Sequence, residues 1–410
     1  MQIQGEEIKI LQGIRVLDWT IYQQGPVCTA MLADLGADVI KLEQPVNGDP
    51  GRGMMDMIKA MFGGDIAGNP YYENNNRGKR CITLDMRKEE GKNILYQLIE
   101  KSDVFVHNFR VGVAEKMGLN YEILSQYNPM LVYAHASGWG PNGPDASTPS
   151  ADYTGIARSG IMSVAGEPDM PPQMVQAGIA DQMGATMTSY GILAALLARE
   201  RFGIGQKVDA SLLGSMMHLM GLAVTMSTMA KLPTMRISRK NSGNPLWNYY
   251  KCKDDKWIAL AHLQPDKSWP NLCKAMNILH LENDTRFDNM TNRSRNAKEL
   301  IKIFDEIFAN KQRDQWVDLL KEHGCVCSPL NNISDLENDP QAKANEYITE
   351  FDHPSLGKIK EIGFPVTYSK TPASIQKEAP DLGQHTDDIL TEILGFSEEK
   401  ITRLREAEII

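Results

Sequence analysis

The sequence predicts an α/β protein whose main body is a mostly parallel, doubly wound sheet covered on both faces. Three observations carry that expectation. Short β-branched or apolar runs alternate with helical stretches through the first third of the chain. The 410 residues, 42% hydrophobic and 23% charged, have ordinary globular composition and bury a core without disulfide or metal staples. No internal repeat or low-complexity tract points to a solenoid, coiled coil or disordered chain.

Taken in order, 14–19 (IRVLDW) is a β-branched run, 25–36 places Val27, Met31, Leu32 and Leu35 at helical spacing, and 37–43 (ADVIKLE) is strand-like again. Together they make a βαβ unit. A second unit begins at Ile82–Leu84, with Asp85 as N-cap and Ile94, Leu95, Leu98 and Ile99 on one helical face. DVFVH (103–107) and MLVYAH (130–135) supply two further strands flanking a helical segment over 113–126. Residues 141–180 form a long loop rich in Pro, Gly and Ser, the kind that is functional or disordered. Helical character resumes at Asp181 and stops at Gly203.

A change in composition near 226–243 marks a boundary. Beyond it lie a hairpin, 247–252 with 257–262, turning at Asp254–Asp255, and helices over 297–310 and 312–322. The C-terminal piece holds a strand at 358–367 and a helix at 386–394. The expected division is 1–225 for the large domain's N-terminal part, 226–334 for linker and small α+β domain, and 335–410 for the return to the large domain.

The 43 Lys plus Arg against 52 Asp plus Glu give a net charge of -9, which disfavours nucleic acid or an anionic membrane as partner through overall charge. A local basic pocket remains compatible. The six cysteines include no C-x-x-C pair, the start lacks a signal-peptide pattern, and no apolar run approaches about 18 residues. A cytoplasmic location is expected. The eight His show no H-E-x-x-H or other tight ligand spacing, so no metal is expected. Cys325 and Cys327 read as small buried hydrophobes, and the Met clusters at 54–61 and 216–235 as core filling or as an adaptable acyl lining.

Gly138, Gly140 and Gly143 fit G-x-G-x-x-G after a strand, but Pro141 and the following PDASTPS make a loop where a dinucleotide site needs a helix. A P-loop is absent, so ATP hydrolysis has no support. Arg77, Lys79 and Arg80, with Lys41, Arg110 and Lys116, form either a solvated surface or a crevice for a polyanionic nucleotide at the strand ends. Asp181, ahead of an apolar helical run, is on position alone an N-cap. The same place suits a nucleophile, because the helix's positive end favours a carboxylate and the preceding small residues admit a substrate.

Several blocks then converge. VLDWTIYQQGPVCTAMLADLGADVIKLEQPVNGDP, NNRGKRCITLDMRKEEGK, DVFVHNFRVGVAEKMGL, NPMLVYAHASGWGPNGP, ADYTGIARSGIMSVAGEPDMPP, GIADQMGATMTSYGILAALLARERFGIGQKVDASL and APDLGQHTDDILTEILGF occur in this order. Over nearly its whole length the chain resembles the class III coenzyme A transferases, the group of formyl-CoA and carnitine CoA-transferases. The resemblance implies a Rossmann-like large domain assembled from both chain ends, a smaller inserted domain, and an interlocked homodimer.

It further implies that Asp181 attacks an acyl-CoA thioester, forming an aspartyl anhydride and then an aspartyl-CoA thioester that a free carboxylic acid resolves, with Gln23 hydrogen-bonding developing charge. The implied CoA-binding set is Gln24, Gln44, Asn76, Gly78, Lys79, Arg80, Asn108, Phe109, Arg110, Lys116 and Tyr153. No cofactor is permanently bound; the coenzyme A thioester is a substrate. The chain departs from formyl-CoA transferases at Gln44, where those enzymes carry Arg, at Ser150-Ala151-Asp152, which lacks their lysine, and at Thr154, which replaces a glutamate. Their closing glycine loop is represented by Ser242-Gly243-Asn244. These differences favour a bulkier, less polar acid than oxalate or formate. The alternative within the fold is an α-methylacyl-CoA racemase, but the position of its catalytic His is Ala151.

Overall fold

The computed structural model describes residues 8–63, 67–232 and 234–410. They divide into two compact units, one made of the first 162 residues with 174–231 and 343–410, the other of 163–173 with 232–342.

The first unit is built on six parallel strands: β1 (Arg15–Trp19), β2 (Asp38–Glu43), β3 (Lys79–Thr83), β4 (Val104–His107), β5 (Val132–Ser137) and β6 (Gln206–Ser211). Their order is β3-β2-β1-β4-β5-β6, with every pairing parallel. Successive strand residues alternate between two cores, as a strand buried on both faces requires. Val16, Val39, Val104 and Val132 pack with Cys28 and Leu32 of the Gln24–Asp34 helix and Ala185 and Ile192 of the Ile179–Phe202 helix. Leu17, Ile40, Phe105 and Tyr133 face the other way, onto Leu95 and Leu98 of the Glu89–Ile99 helix and Ile389, Leu390 and Leu404 near the C-terminus. The chain's last segment thus completes a layer begun by its first. The order in which strands are added reverses between β1 and β4, so a crevice lies outside their carboxyl ends, where open α/β sheets hold ligands.

Local departures from expectation have physical reasons. Asp85 does not cap a helix: its carboxylate pairs with Arg87, and the helix begins at Glu89 with Lys88 as N-cap. The 113–126 stretch is two short helices, Val113–Met117 and Tyr121–Tyr127, because Gly118 adopts a left-handed φ of 73° between them. The last strand expected over 358–367 ends at Ile362; this β11 (Gly357–Ile362) pairs antiparallel with β10 (Ile348–His353). Core filling by the second Met cluster does not hold, since only Met216 there is buried and Met229 is 80% exposed.

In the second unit β7 (Trp247–Lys251) and β8 (Trp257–Ala261) form the hairpin, extended by β9 (Cys327–Pro329). Asp255 makes the turn with φ 61°. Tyr250, Trp269, Phe304, Phe308 and Trp316 form an aromatic core with the Pro265–Ala275, Ala297–Phe308 and Arg313–Glu322 helices. Segment 163–173 joins this unit, where the Glu167 carboxylate accepts from the Arg239 backbone N–H at 2.9 Å. Ser242, Gly243 and Asn244 also lie here; the Asn244 amide bonds the His262 carbonyl and the Leu246 N–H.

Candidate active site

The helix Ile179–Phe202 starts from Gly178, whose φ of 65° is left-handed and which has no side chain to cap the exposed N–H groups. The cap comes from elsewhere. Asp152, first residue of the Asp152–Arg158 helix, accepts at Oδ1 from the N–H groups of Ala180 (2.8 Å) and Asp181 (3.0 Å). Asp181 is therefore not the N-cap; it occupies the first turn, with its own carboxylate uncommitted to capping. Gly155 permits this packing, since a Cβ there would lie 3.1 Å from Leu212 and 3.2 Å from Ala180.

Burial, and after it the charge of Asp152, push the Asp181 carboxyl up to about 7. Burial and then the charge of Asp181 also hold the Tyr71 hydroxyl above its ordinary range, so it stays protonated. The Gln23 side chain lies against the start of the same helix: a Cβ on Gly178 would meet its Nε2 at 2.4 Å and its Oε1 at 2.8 Å. Gln24 is buried beside Gly184, and its Nε2 donates to the Ser137 carbonyl at 3.4 Å. Tyr153 is half exposed.

A cavity of about 340 Å³ opens at the carboxyl ends of β1 and β2, lined among others by Trp19, Gln44, Asp49, Arg87, Phe109 and Met117. The rings of Trp19 and Phe109 approach to 4.3 Å. Arg110 and Lys116 are exposed on the segment that follows β4. Asn108 lies on the same edge, but its amide is engaged with the backbone of Ile21, accepting from its N–H at 2.9 Å and donating to its carbonyl at 2.8 Å.

The basic cluster does not converge. Lys79 is fully buried, its ammonium donating to Asp18 (2.8 Å), to the Asn76 side chain and to the carbonyls of Pro26 and Asn75. Asn76 is buried with it, and Gly78 turns with a φ of 77°. Arg77 is buried on Asp34, and Arg80 pairs with Asp38 and Glu392 towards the amino end of β3, away from the cavity. Lys41 is enclosed with Asp49 at 2.8 Å; burial alone would depress its ammonium, but Asp49 and Asp18 hold its pKa above the ordinary value. Four of these cations are engaged with carboxylates within the fold, while Arg110, Lys116 and the unanticipated Arg87 remain towards solvent. Arg87 had a sequence signal, since it follows the third strand at the same edge as the crevice.

Gly138–Gly143 form an irregular loop, Gly138 lying so close to Ser150 that a Cβ would come within 1.9 Å of its hydroxyl. Among the described residues no group of three or more His, Cys, Asp or Glu is arranged to hold a metal ion. Among them, too, no single helix is long and apolar enough to cross a membrane.

Residues 11–386 match the family described as CoA-transferase family III. The chain is 32% identical over 402 residues to the (R)-2-hydroxy-4-methylpentanoate CoA-transferase of Clostridioides difficile, covering 98% of this chain and 99% of that one. It is 32% identical to the succinyl-CoA:glutarate CoA-transferase of Mus musculus, covering 97% of this chain and 90% of the relative. A solved structure of a CAIB/BAIF family protein from Brucella suis superposes with a TM-score of 0.81 at 29% identity, covering 95% of this chain and 100% of that one. The chain belongs to CoA-transferase family III and is a CoA-transferase.

Proposed function

We propose that Asp181 is the nucleophile of a two-stage CoA transfer between carboxylic acids. Its carboxylate attacks the carbonyl of the donor thioester; the C–S bond breaks, leaving a mixed anhydride and free CoA thiolate. The thiolate attacks the Asp181 carbonyl, releasing the donor as its carboxylate and forming an aspartyl-CoA thioester. The acceptor carboxylate attacks that thioester, and the expelled thiolate then attacks the acceptor-derived carbonyl of the second anhydride. Acceptor-CoA leaves, and the Asp181 carboxylate is regenerated. No net proton or phosphate is consumed.

The observation that carries this reading is the carboxyl raised to about 7 in the first helical turn, uncommitted to capping, with the Gln23 amide packed against Gly178 at the head of the same helix. Burial raises the energy of the charged ground state. A neutral donor such as this amide suits an oxyanion that develops as attack proceeds. Coenzyme A binds along the cavity between Trp19 and Met117, with Phe109 and Gln44 on its apolar part and Arg87, Arg110 and Lys116 towards its phosphates. The acyl group is a bulky, weakly polar acid, as the relative acting on (R)-2-hydroxy-4-methylpentanoate supports.

The working form is a homodimer. Tyr190, Leu197, Phe202, Leu222 and Met229 are each more than half exposed on two helices of the large unit, bulky apolar side chains that a second subunit would cover. Its location is the cytoplasm, in keeping with six free cysteines.

Incubation with a panel of acyl-CoA donors, followed by hydroxylamine and peptide mass spectrometry, tests the chemistry. A hydroxamate on Asp181 and abolished exchange in Asp181→Ala are expected. Undiminished exchange in that variant would overturn the assignment.

A further inference from the structure

Ile21 and Tyr22 form the turn between β1 and the Gln24–Asp34 helix. Their backbone polar groups are held by side chains from separate parts of the fold. Asn108, after β4, takes both the N–H and the carbonyl of Ile21. Asp49, after β2, accepts from the Tyr22 N–H at 3.0 Å through Oδ1. Asn75, in the Pro70–Asn76 helix, donates to the Tyr22 carbonyl at 3.2 Å. Lys41, in β2, donates to the Thr20 carbonyl at 3.0 Å and ties the other oxygen of Asp49 at 2.8 Å.

Tyr22 has φ 64°, a left-handed conformation that costs a non-glycine residue and persists only where its surroundings impose it. The next residue is Gln23, whose amide lies against Gly178 at the head of the helix bearing Asp181. The backbone direction at Tyr22 therefore sets where that amide points.

We propose that Asn75 and Asp49 are positioning residues: by clamping Tyr22 in its left-handed conformation they aim the Gln23 amide at the reacting carbonyl of Asp181. This rests on the reaction proposed above, and it gives the two residues a role that needs no contact with the reacting atoms. Asp49 is a poor probe, because removing it leaves the enclosed Lys41 ammonium uncompensated. Asn75 is the better one. Asn75→Ala deletes the donor, and Asn75→Asp sets an acceptor against the Tyr22 carbonyl.

Each is expected to lower kcat about tenfold, with KM for acyl-CoA changed less than about twofold. In a Gln23→Ala background the same changes are expected to cost nothing further, because the group they aim is gone. A purely structural role would give additive losses, which would overturn the proposal, as would a rise in KM at constant kcat. Tyr22→Gly and Tyr22→Val serve if the Asn75 variants fail to fold: glycine adopts the left-handed region freely and valine does not, so the glycine variant should keep about ten times the kcat of the valine one. Equal rates would refute the clamp. A crystal structure of Asn75→Ala separates the two readings. Gln23 unmoved against Gly178 overturns the positioning role whatever the activity, whereas a wild-type enzyme that never forms an Asp181 adduct overturns the reaction and leaves the clamp's geometry to be judged by that structure.

Discussion

Replacing Asp181 by asparagine should abolish exchange and also stabilise the protein, in a way that depends on pH. An ordinary aspartate titrates near 3.8, and burial beside Asp152 moves Asp181 to about 7. Between those values the folded state holds a proton that the unfolded chain has released. Stability contributed by this group is therefore full below the unfolded pKa and is lost as pH rises towards 7. The gap corresponds to about 4 kcal/mol as an upper bound; residual solvent at the partly exposed carboxylate brings the expected effect to roughly 2 kcal/mol. Asparagine carries no charge at any pH and escapes the loss. Urea denaturation of wild type and Asp181→Asn at about pH 4 and about pH 8 should give nearly equal stabilities at the lower pH and a variant stabler by roughly 2 kcal/mol at the higher. A difference independent of pH would refute the claim that burial of the charge, rather than a packing change, sets the energetics of this site.

Three further outcomes follow from the same geometry. Asp152→Asn keeps an oxygen for the Ala180 and Asp181 N–H groups but removes the like charge, so the alkaline rise in kcat/KM should move to lower pH by roughly one unit or less, read from a pH–rate profile. Gly178→Ala places a methyl where the Gln23 amide nitrogen lies 2.4 Å away, at a φ that alanine resists; kcat should fall by about 100-fold with only a small rise in KM, measured by steady-state exchange. Arg110→Glu with Lys116→Glu should raise KM for acyl-CoA about tenfold or more, with the effect shrinking at high salt and kcat little altered.

Much of the sheet was legible because its strands are buried on both faces and so consist of apolar runs such as RVLDW and VFVH, whose signal does not depend on partners. β6 was not, since QKVDAS alternates exposed and partly buried residues at the sheet edge and carries three polar side chains in its first four positions. Asp181 was legible as a residue at a helix start. Its cap was not, because the side chain that provides it lies 29 positions upstream on another helix. Lys79 and Arg80 misled for a related reason: a sequence shows a charge but not whether its counter-charge, here Asp18 or Asp38, stands beside it in the fold.

That distinction explains how the site is supported. Asp18, Lys79, Lys41 and Asp49 are all enclosed, and an enclosed ion pair contributes little net stability against an apolar replacement of the same volume. Their value lies in direction. A methylene chain packs wherever volume allows, whereas the Asp49 carboxylate must satisfy Lys41 and the N–H groups of Tyr22 and Gly51 together, which fixes it to one arrangement. The loop leading to Gln23 inherits that arrangement. The transfer proposed above, with two successive anhydrides and a thioester on one carboxylate, requires donors that are fixed before the substrate arrives. Charges buried beneath the crevice supply that fixity, which is why cations that read as phosphate ligands in the sequence act instead on the backbone below it.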